Sequence, residues 1–135
     1  MSPQLRSPDA VTPPVVLFVT DEPQENLAFC ALALMGMGLM TLTAGNAEAY
    51  ERASRIHPDV IVAAGTHYTL RNLTRQLRDD PRTREARLVV MPGPEPGSES
   101  DADGPYDRLI EPSCPPDVLA LEILEALKTG RRRAP

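Results

Sequence analysis

The stretch VVLFVTDEP, residues 15–23, decides the fold that we expect for this chain. Residues 15–20 begin with a continuous apolar run, which is typical of a strand in a parallel sheet that helices cover on both faces. Asp21 and Glu22 follow, and acidic residues with a proline directly after them favour the N-terminal end of a helix. The stretch therefore predicts a buried strand that leads into a helix.

The same succession of strand and helix repeats along the chain. Further strands are predicted over about residues 39–43, 59–63, 87–91 and 107–110. Helices are predicted after the first strand, over about residues 47–56 with Asn46 as the cap, over 68–79, and from 115 onward. Strands that alternate with helices predict an open α/β sheet, whose functional crevice lies at the carboxyl ends of the strands. That edge brings together the residues that follow the strands, namely Thr20, Asp21, Glu22, Ala64, Gly65, Thr66, His67, Pro92 and Glu111.

Helical spacing predicts which side chains face the sheet. The predicted buried faces are Leu27, Cys30, Ala31 and Leu34 in the first helix, Leu70, Leu73 and Leu77 in the third, and Val118, Leu121, Leu124 and Leu127 in the last. Methionine is a flexible apolar side chain that fills irregular gaps in cores. We therefore interpret Met35, Met37 and Met40 as core filling and not as a binding patch.

Length and composition fit one domain with short tails. The 135 residues predict a flexible N-terminal segment over 1–14, a domain over 15–129 and a basic tail over 130–135. The net charge of −5 argues against a direct nucleic-acid binder, because phosphate affinity comes from Lys and Arg.

Cysteine usage and hydropathy predict a cytoplasmic protein. Cys30 and Cys114 are far apart in sequence and are expected to be reduced thiols, mostly buried. No apolar run is long enough to span a bilayer, and the N-terminus lacks the apolar core of a signal peptide. We therefore expect no membrane partner.

Short motifs follow the predicted elements in a consistent order. They are Asp21-Glu22-Pro23 after the first strand, Gly38 before the second, Pro58-Asp59 at the third, Leu77-Arg78-Asp79-Asp80-Pro81 at the end of a helix, and Glu111-Pro112 after the fifth strand. In this order they resemble the receiver domain of response regulators, over about residues 15–127. The resemblance implies a flavodoxin-like α/β fold with five parallel strands in the order 2-1-3-4-5.

The resemblance also implies a phosphorylation site, from which this chain departs. The family carries its phosphoryl-accepting aspartate at the end of the third strand, where this chain has Ala64. The two adjacent acids that help to hold magnesium in the family correspond to Thr20 and Asp21, with Glu22 beside them. A methyl group cannot form an acyl phosphate, and the lost carboxylates leave too few oxygen ligands for Mg²⁺.

The positions after the fourth and fifth strands depart as well. The phosphoryl-sensing hydroxyl residue corresponds to Pro92, which has neither a hydroxyl nor a backbone N–H. The lysine before a proline corresponds to Glu111, followed by Pro112, so that the charge is inverted. The aromatic switch position corresponds to Arg108. We therefore expect a vestigial phosphorylation pocket with no catalytic residue, no bound metal and no other cofactor.

The segment between the fourth and fifth strands predicts a second departure. Residues 93–105 are rich in Pro, Gly and acidic side chains, and Pro is strongly disfavoured inside helices. We expect an acidic loop where the family has its fourth helix, which would leave one flank of the sheet open to a partner.

These observations predict a pseudo-receiver that stands alone and signals through phosphorylation-independent protein–protein contact. The expected partner is a histidine kinase, another regulator or a second copy. Two alternatives stay open, a receiver-like sensor of small molecules and a phosphoacceptor with an unusual acceptor. His67 fits either a rebuilt metal or acid/base site or a solvated loop side chain, and we favour the latter. Asp21, Glu22 and Glu111 fit residual cation binding or, as we prefer, solvated carboxylates.

Overall fold

A computed structural model describes residues 13–22, 25–93 and 106–129 of the chain. Its strands are β1 (Val15–Val19), β2 (Met40–Ala44), β3 (Val60–Gly65), β4 (Arg87–Pro92) and β5 (Arg108–Leu109). Its helices are α1 (Glu25–Gly36), α2 (Ala49–Ile56), α3 (His67–Asp79) and α4 (Pro116–Thr129). The predicted strands and helices are confirmed, with ends that shift by one or two residues and a fifth strand of only two residues.

The five strands form one parallel sheet in the order β2-β1-β3-β4-β5, as predicted. Every carboxyl end therefore lies at the same edge of the sheet. Because strand side chains alternate between faces, the core divides into two layers. Val16, Phe18 and Val62 pack with α1 and α4, whereas Leu17 and Ile61 pack with α2 and α3.

The predicted buried faces of α1 and α3 are confirmed. Leu27, Cys30 and Leu34 are buried in α1, with Ala31 packed against the same cluster. The three leucines of α3 that were predicted to face the sheet are buried as well, and they are Leu70, Leu73 and Leu77. In both helices one narrow stripe carries the large apolar side chains, and the sheet covers that stripe.

The predicted face of the last helix is confirmed for Leu124 and Leu127, which pack against the core, and is wrong for Val118 and Leu121. Val118 and Leu121 are exposed on α4, and Leu124 and Leu127 are only partly buried. The side chains that face the sheet are Leu119, Ala120, Ile123 and Ala126. This face contains two alanines, and their small side chains allow α4 to lie close to the sheet and to α1.

The interpretation of the methionines as core filling is also wrong. Met35, Met37 and Met40 are each about half exposed. Met35 lies in the last turn of α1, Met37 in the connection to β2 and Met40 at the start of β2, and Gly38 between them takes a φ of 93° that favours glycine. The chain reverses direction there without burying the methionines.

Two expectations lie wholly or partly outside the described residues. The loop expected over residues 93–105 is described only at Gly93, and the tails are described only at residues 13 and 14. Among the described helices, none is long and apolar enough to cross a membrane.

Candidate functional site

The candidate site is the carboxyl edge of the sheet. β1 is followed there by Thr20, Asp21 and Glu22, and β3 ends in Ala64 and Gly65. In the register of β3 and β4, Ala64 lies beside Met91 and Gly65 beside Pro92. Glu111 and Pro112 follow β5 at the same edge. The topology therefore brings to one edge all of the residues that the sequence predicted there.

Ala64 is part of the apolar core. Its exposed fraction is 4%, and it belongs to the same buried cluster as Phe18, Val62 and Met91. The end of β3 therefore presents a methyl group packed among hydrocarbon side chains, with no oxygen that could accept a phosphoryl group.

Thr20 is engaged within its own turn. Its hydroxyl donates to the carbonyl of Glu22 at 2.9 Å and accepts from the Glu22 backbone N–H at 3.3 Å. Its backbone N–H donates to the carbonyl of Ala44 at 3.0 Å. The hydroxyl therefore stabilises the chain reversal after β1, while the side chain of Glu22 is exposed.

Asp21 is bound to the loop that follows β2. Its Oδ1 accepts the backbone N–H of Asn46 at 2.8 Å, and its Oδ2 accepts the Asn46 side-chain amide at 3.3 Å. A β-carbon added at Gly45 would lie 3.2 Å from Asp21 Oδ1, which shows how closely the loop approaches the carboxylate. Because β2 and β3 lie on opposite sides of β1, this bond directs Asp21 away from the side where Ala64 lies.

Asn46 therefore has a different role from the predicted helix cap. The residue at the cap of α2 is Glu48, which makes no side-chain capping bond. The bond between Asp21 and Asn46 joins two loops that are distant in sequence. Sequence reasoning missed it, and the one available signal was the Gly45-Asn46 pair after β2, which is typical of a tight turn.

Pro92 and Arg108 are held on the β4–β5 side of the edge. Pro92 ends β4, half-buried, beside Gly65, and Gly93 N–H donates to the Gly65 carbonyl at 2.9 Å. Arg108 donates to Glu122 of α4 at 2.9 Å in a partly exposed ion pair. Arg108, which the resemblance placed at the aromatic switch position, therefore forms an ion pair between strand and helix.

The loop after β5 is tied to α1. Glu111 and Pro112 are exposed, but the side chain of Asn26 donates to the carbonyls of Pro112 at 3.5 Å and Cys114 at 3.0 Å. The Glu111 carbonyl also accepts the Cys114 N–H at 3.0 Å. The backbone of this loop is fixed, and the Glu111 carboxylate extends to solvent.

These residues do not fit the magnesium site that the resemblance implies. Of the three carboxylates, Asp21 uses both oxygens on Asn46, and Glu22 and Glu111 are exposed. Within the described parts of the chain, no group of three His, Cys, Asp or Glu side chains could hold a metal ion.

His67 is the first residue of α3, which Thr66 caps by accepting the Thr69 N–H at 3.1 Å.

A groove lies beside this edge, between α1 and α2. Its volume is about 850 Å³, and its lining includes Asp21, Ala28, Ala31, Thr43 and Arg52. Ala64 and Pro92 do not line it. This groove therefore lies on the β2 side of β1, away from Ala64 and Pro92.

Asp80, in the motif that spans residues 77–81 at the end of α3, has a structural role at the opposite edge of the sheet. The carboxylate of Asp80 accepts from the Arg82 backbone N–H at 2.8 Å, from the Arg82 guanidinium at 2.9 Å and from the Tyr50 hydroxyl. These hydrogen bonds, those from Arg82 above all, hold the pKa of Asp80 well below its usual range. Because Tyr50 belongs to α2, the cluster joins α2 to the turn after α3.

The two cysteines are free thiols, as predicted. Cys30 is fully buried in α1, and that burial raises its pKa to about 12, with a smaller contribution from Cys114. Burial also raises the pKa of Cys114, which is partly exposed. Both thiols are therefore protonated at neutral pH, which makes them poor nucleophiles and metal ligands.

The architecture defines a doubly wound α/β domain with its candidate site at the carboxyl edge. No protein-family model and no curated protein matches the chain. Among solved structures, it is similar to the signal receiver domain of a signal transduction histidine kinase from Syntrophus aciditrophicus, with 22% identity, a TM-score of 0.73, and coverage of 90% of this chain and 95% of that one.

Two further structures are similar over the same region. They are a response regulator from Desulfuromonas acetoxidans (21% identity, TM-score 0.68, coverage 87% and 98%) and the chemotaxis response regulator CheY4 of Vibrio cholerae (20%, 0.70, 86% and 99%). The chain therefore has the fold of response-regulator receiver domains. At these identities the likeness establishes the fold alone.

Proposed function

We propose that this chain is a non-catalytic, receiver-like signalling domain that acts through protein–protein contact without being phosphorylated. The observation that carries the proposal is the end of β3, where Ala64 presents a buried methyl group in place of an acceptor oxygen. Phosphoryl transfer depends on positioned charges and on a metal that neutralises the developing charge. Here both carboxylate oxygens of Asp21 accept hydrogen bonds from Asn46, and Glu111 adds negative charge where an incoming phosphate needs positive charge.

The direct test is the intact mass of the full chain after incubation with acetyl phosphate and Mg²⁺. We expect no gain of a phosphoryl group, whereas a phosphorylatable receiver treated in parallel gains one. A stoichiometric mass gain on this chain would refute the proposal and favour a phosphoacceptor with an unusual acceptor. Peptide mapping of the modified protein would then identify the acceptor residue.

The groove between α1 and α2 favours one second candidate, a receiver-like sensor of small molecules. A volume of about 850 Å³ is within the range of ligand sites, and the lining combines alanines with Asp21 and Arg52. We would measure the melting temperature with a panel of nucleotides and organic acids. The variant Ala28→Trp, which fills the groove from its exposed side, is the control. A shift that occurs in the wild type and is lost in this variant would favour the sensor over the interaction module.

A further inference from the structure

The most unusual surface of the molecule is the outer side of α1 and the turn into β2. Residues 26–47 contain no Asp, Glu, Lys, Arg or His, although charged residues make up 24% of the chain. In α1 itself, the one charged residue is Glu25 in the first turn. A helix that is apolar on all sides is usually covered on all sides. In α1, however, only the side with Leu27, Cys30 and Leu34 is buried.

Five large apolar side chains are exposed on this uncharged stretch. The exposed fractions are 53% for Phe29, 62% for Leu32, 53% for Met35, 54% for Met37 and 47% for Met40. The first three follow one another at a spacing of three residues, so they form a stripe along the outer side of α1. We call these five residues the α1 surface. The other exposed apolar side chains of α4 and β5 lie among charged neighbours.

We propose that the α1 surface is where two copies of this chain meet about a two-fold axis. The proposal deepens the proposed function, on which it rests, by naming the partner as a second copy. Two chains that each carry a net charge of −5 repel one another, so a surface without charged side chains is where two copies approach with the least electrostatic repulsion. The α1 surface provides such a place, and it offers no charge with which a basic, acidic or nucleic-acid partner could pair.

The size of the α1 surface is adequate for a self-complementary contact. If a fully exposed large apolar side chain presents about 200 Å², five half-exposed ones present roughly 500 Å² per copy. Two copies would then bury roughly 1,000 Å², which is where specific interfaces begin. A two-fold contact uses the same patch on both partners, so one apolar patch without charges is sufficient to form it. Methionine side chains adapt their shape to such a contact.

The experiment compares Leu32→Glu with Leu121→Glu in the full chain. Leu121 is 60% exposed on the outer side of α4, which makes it a match for Leu32 in residue type, exposure and helical setting. We would measure molar mass by sedimentation velocity over a concentration series. We expect the wild type and Leu121→Glu to be dimeric, and Leu32→Glu to dissociate at least about tenfold more readily, because one carboxylate enters the interface of each copy. Phe29→Ser, which adds no charge, is expected to weaken the dimer as well.

Three outcomes would overturn the inference. They are a wild type that stays monomeric at every concentration, a Leu32→Glu variant as dimeric as the wild type, and a Leu121→Glu variant that dissociates as readily as Leu32→Glu. Circular dichroism of each variant shows that it is folded. A monomeric wild type would overturn the dimer alone, since the phosphodonor experiment tests the proposed function separately.

Discussion

Placing a carboxylate at Ala64 tests the idea that the end of β3 has become core. Ala64 is 4% exposed and lies in an apolar cluster with Phe18, Val62 and Met91. The substitution Ala64→Asp introduces the residue type that the resemblance to receiver domains implies at this position. In this chain it places a carboxylate among hydrocarbon side chains, with Asp21 already bound to Asn46.

The expected cost follows from the burial of that carboxylate. Fully buried carboxyl groups have their pKa raised by up to about 3–5 units, because burial disfavours the charged form. At the end of a strand next to the surface, a shift of about two units is reasonable, and it corresponds to about 3 kcal/mol of unfolding free energy at neutral pH. The folded-state pKa would be above the unfolded value, so the penalty is absent below about pH 4, grows with rising pH, and levels off above about pH 6.

The assay is urea denaturation of Ala64→Asp at about pH 4.5 and about pH 8, with the wild type in parallel. Ala64→Asn is the matched control, because it adds the same volume and polarity without a titratable charge. We expect the difference between the two variants to be small at the lower pH and to approach the full penalty at the higher pH. With acetyl phosphate and Mg²⁺, Ala64→Asp is expected to gain no phosphoryl mass.

Two results would refute the reasoning. If Ala64→Asp were as stable as Ala64→Asn at both pH values, the position would be solvated and not part of the core. If it gained a phosphoryl group, the remaining residues at this edge would be competent for phosphorylation, and Ala64 alone would account for the absence of an acceptor.

Three further predictions concern the groups that hold the scaffold together. Arg78→Met removes hydrogen bonds to two backbone carbonyls and to Asp107, at 2.6–3.0 Å, and should lower the free energy of unfolding in urea by about 3 kcal/mol. The control Arg55→Met removes an exposed ion pair and should lower the free energy of unfolding by less than about 0.5 kcal/mol, so equal losses for the two variants would contradict this account. Asp80→Asn should lower the melting temperature at neutral pH and make the melting temperature fall less steeply as the pH is lowered. The reason is that a carboxyl group with a depressed pKa stabilises the fold above its unfolded-state pKa, and this stability is lost as the pH falls through its folded-state pKa. If the melting temperature of the variant fell with pH as steeply as that of the wild type, Asp80 would not be the titrating group. Cys30, whose pKa is raised to about 12 by burial, should be alkylated by iodoacetamide at neutral pH only as fast as the chain opens, and rapid labelling of the native protein would contradict its burial.

The strands and their parallel arrangement could be predicted from the sequence because the relevant signals are local, whereas the strand order was implied by the resemblance to receiver domains. Continuous apolar runs such as residues 15–19 and 60–64 indicate strands covered on both faces, and their alternation with helices fixes a parallel topology. The face of α4 could not be predicted in the same way. PDVLALEILEALKT carries two overlapping apolar stripes, and the larger side chains of Val118 and Leu121 suggested the wrong one. Close packing favours the stripe with Ala120 and Ala126, which becomes visible only once α1 lies beside α4.

The candidate site shows the same division between local and long-range information. The positions of Ala64, Pro92 and Glu111 at one edge follow from the ends of the strands, so the sequence predicted them. The partner of Asp21 could not be predicted, because Asn46 is 25 residues away and belongs to a loop whose path depends on the pairing of β1 with β2. Asp21, which the sequence analysis interpreted as a solvated carboxylate, therefore proves to be a link between two loops.

The residues that replace the expected phosphorylation chemistry share one physical property. Ala64 packs in the core, Asp21 holds the loop after β2, and Arg108 pairs with Glu122 of α4. Each of these three side chains satisfies its own polar or apolar character within the fold, whereas the carboxylates of Glu22 and Glu111 at the same edge are exposed. The outer side of α1 differs from this edge because it exposes large apolar side chains, with Leu32 62% exposed, in a stretch of the chain that carries no charged residue from 26 to 47. Because apolar area removed from water stabilises association in proportion to its extent, covering this side of α1 with another protein surface would lower the free energy of the molecule.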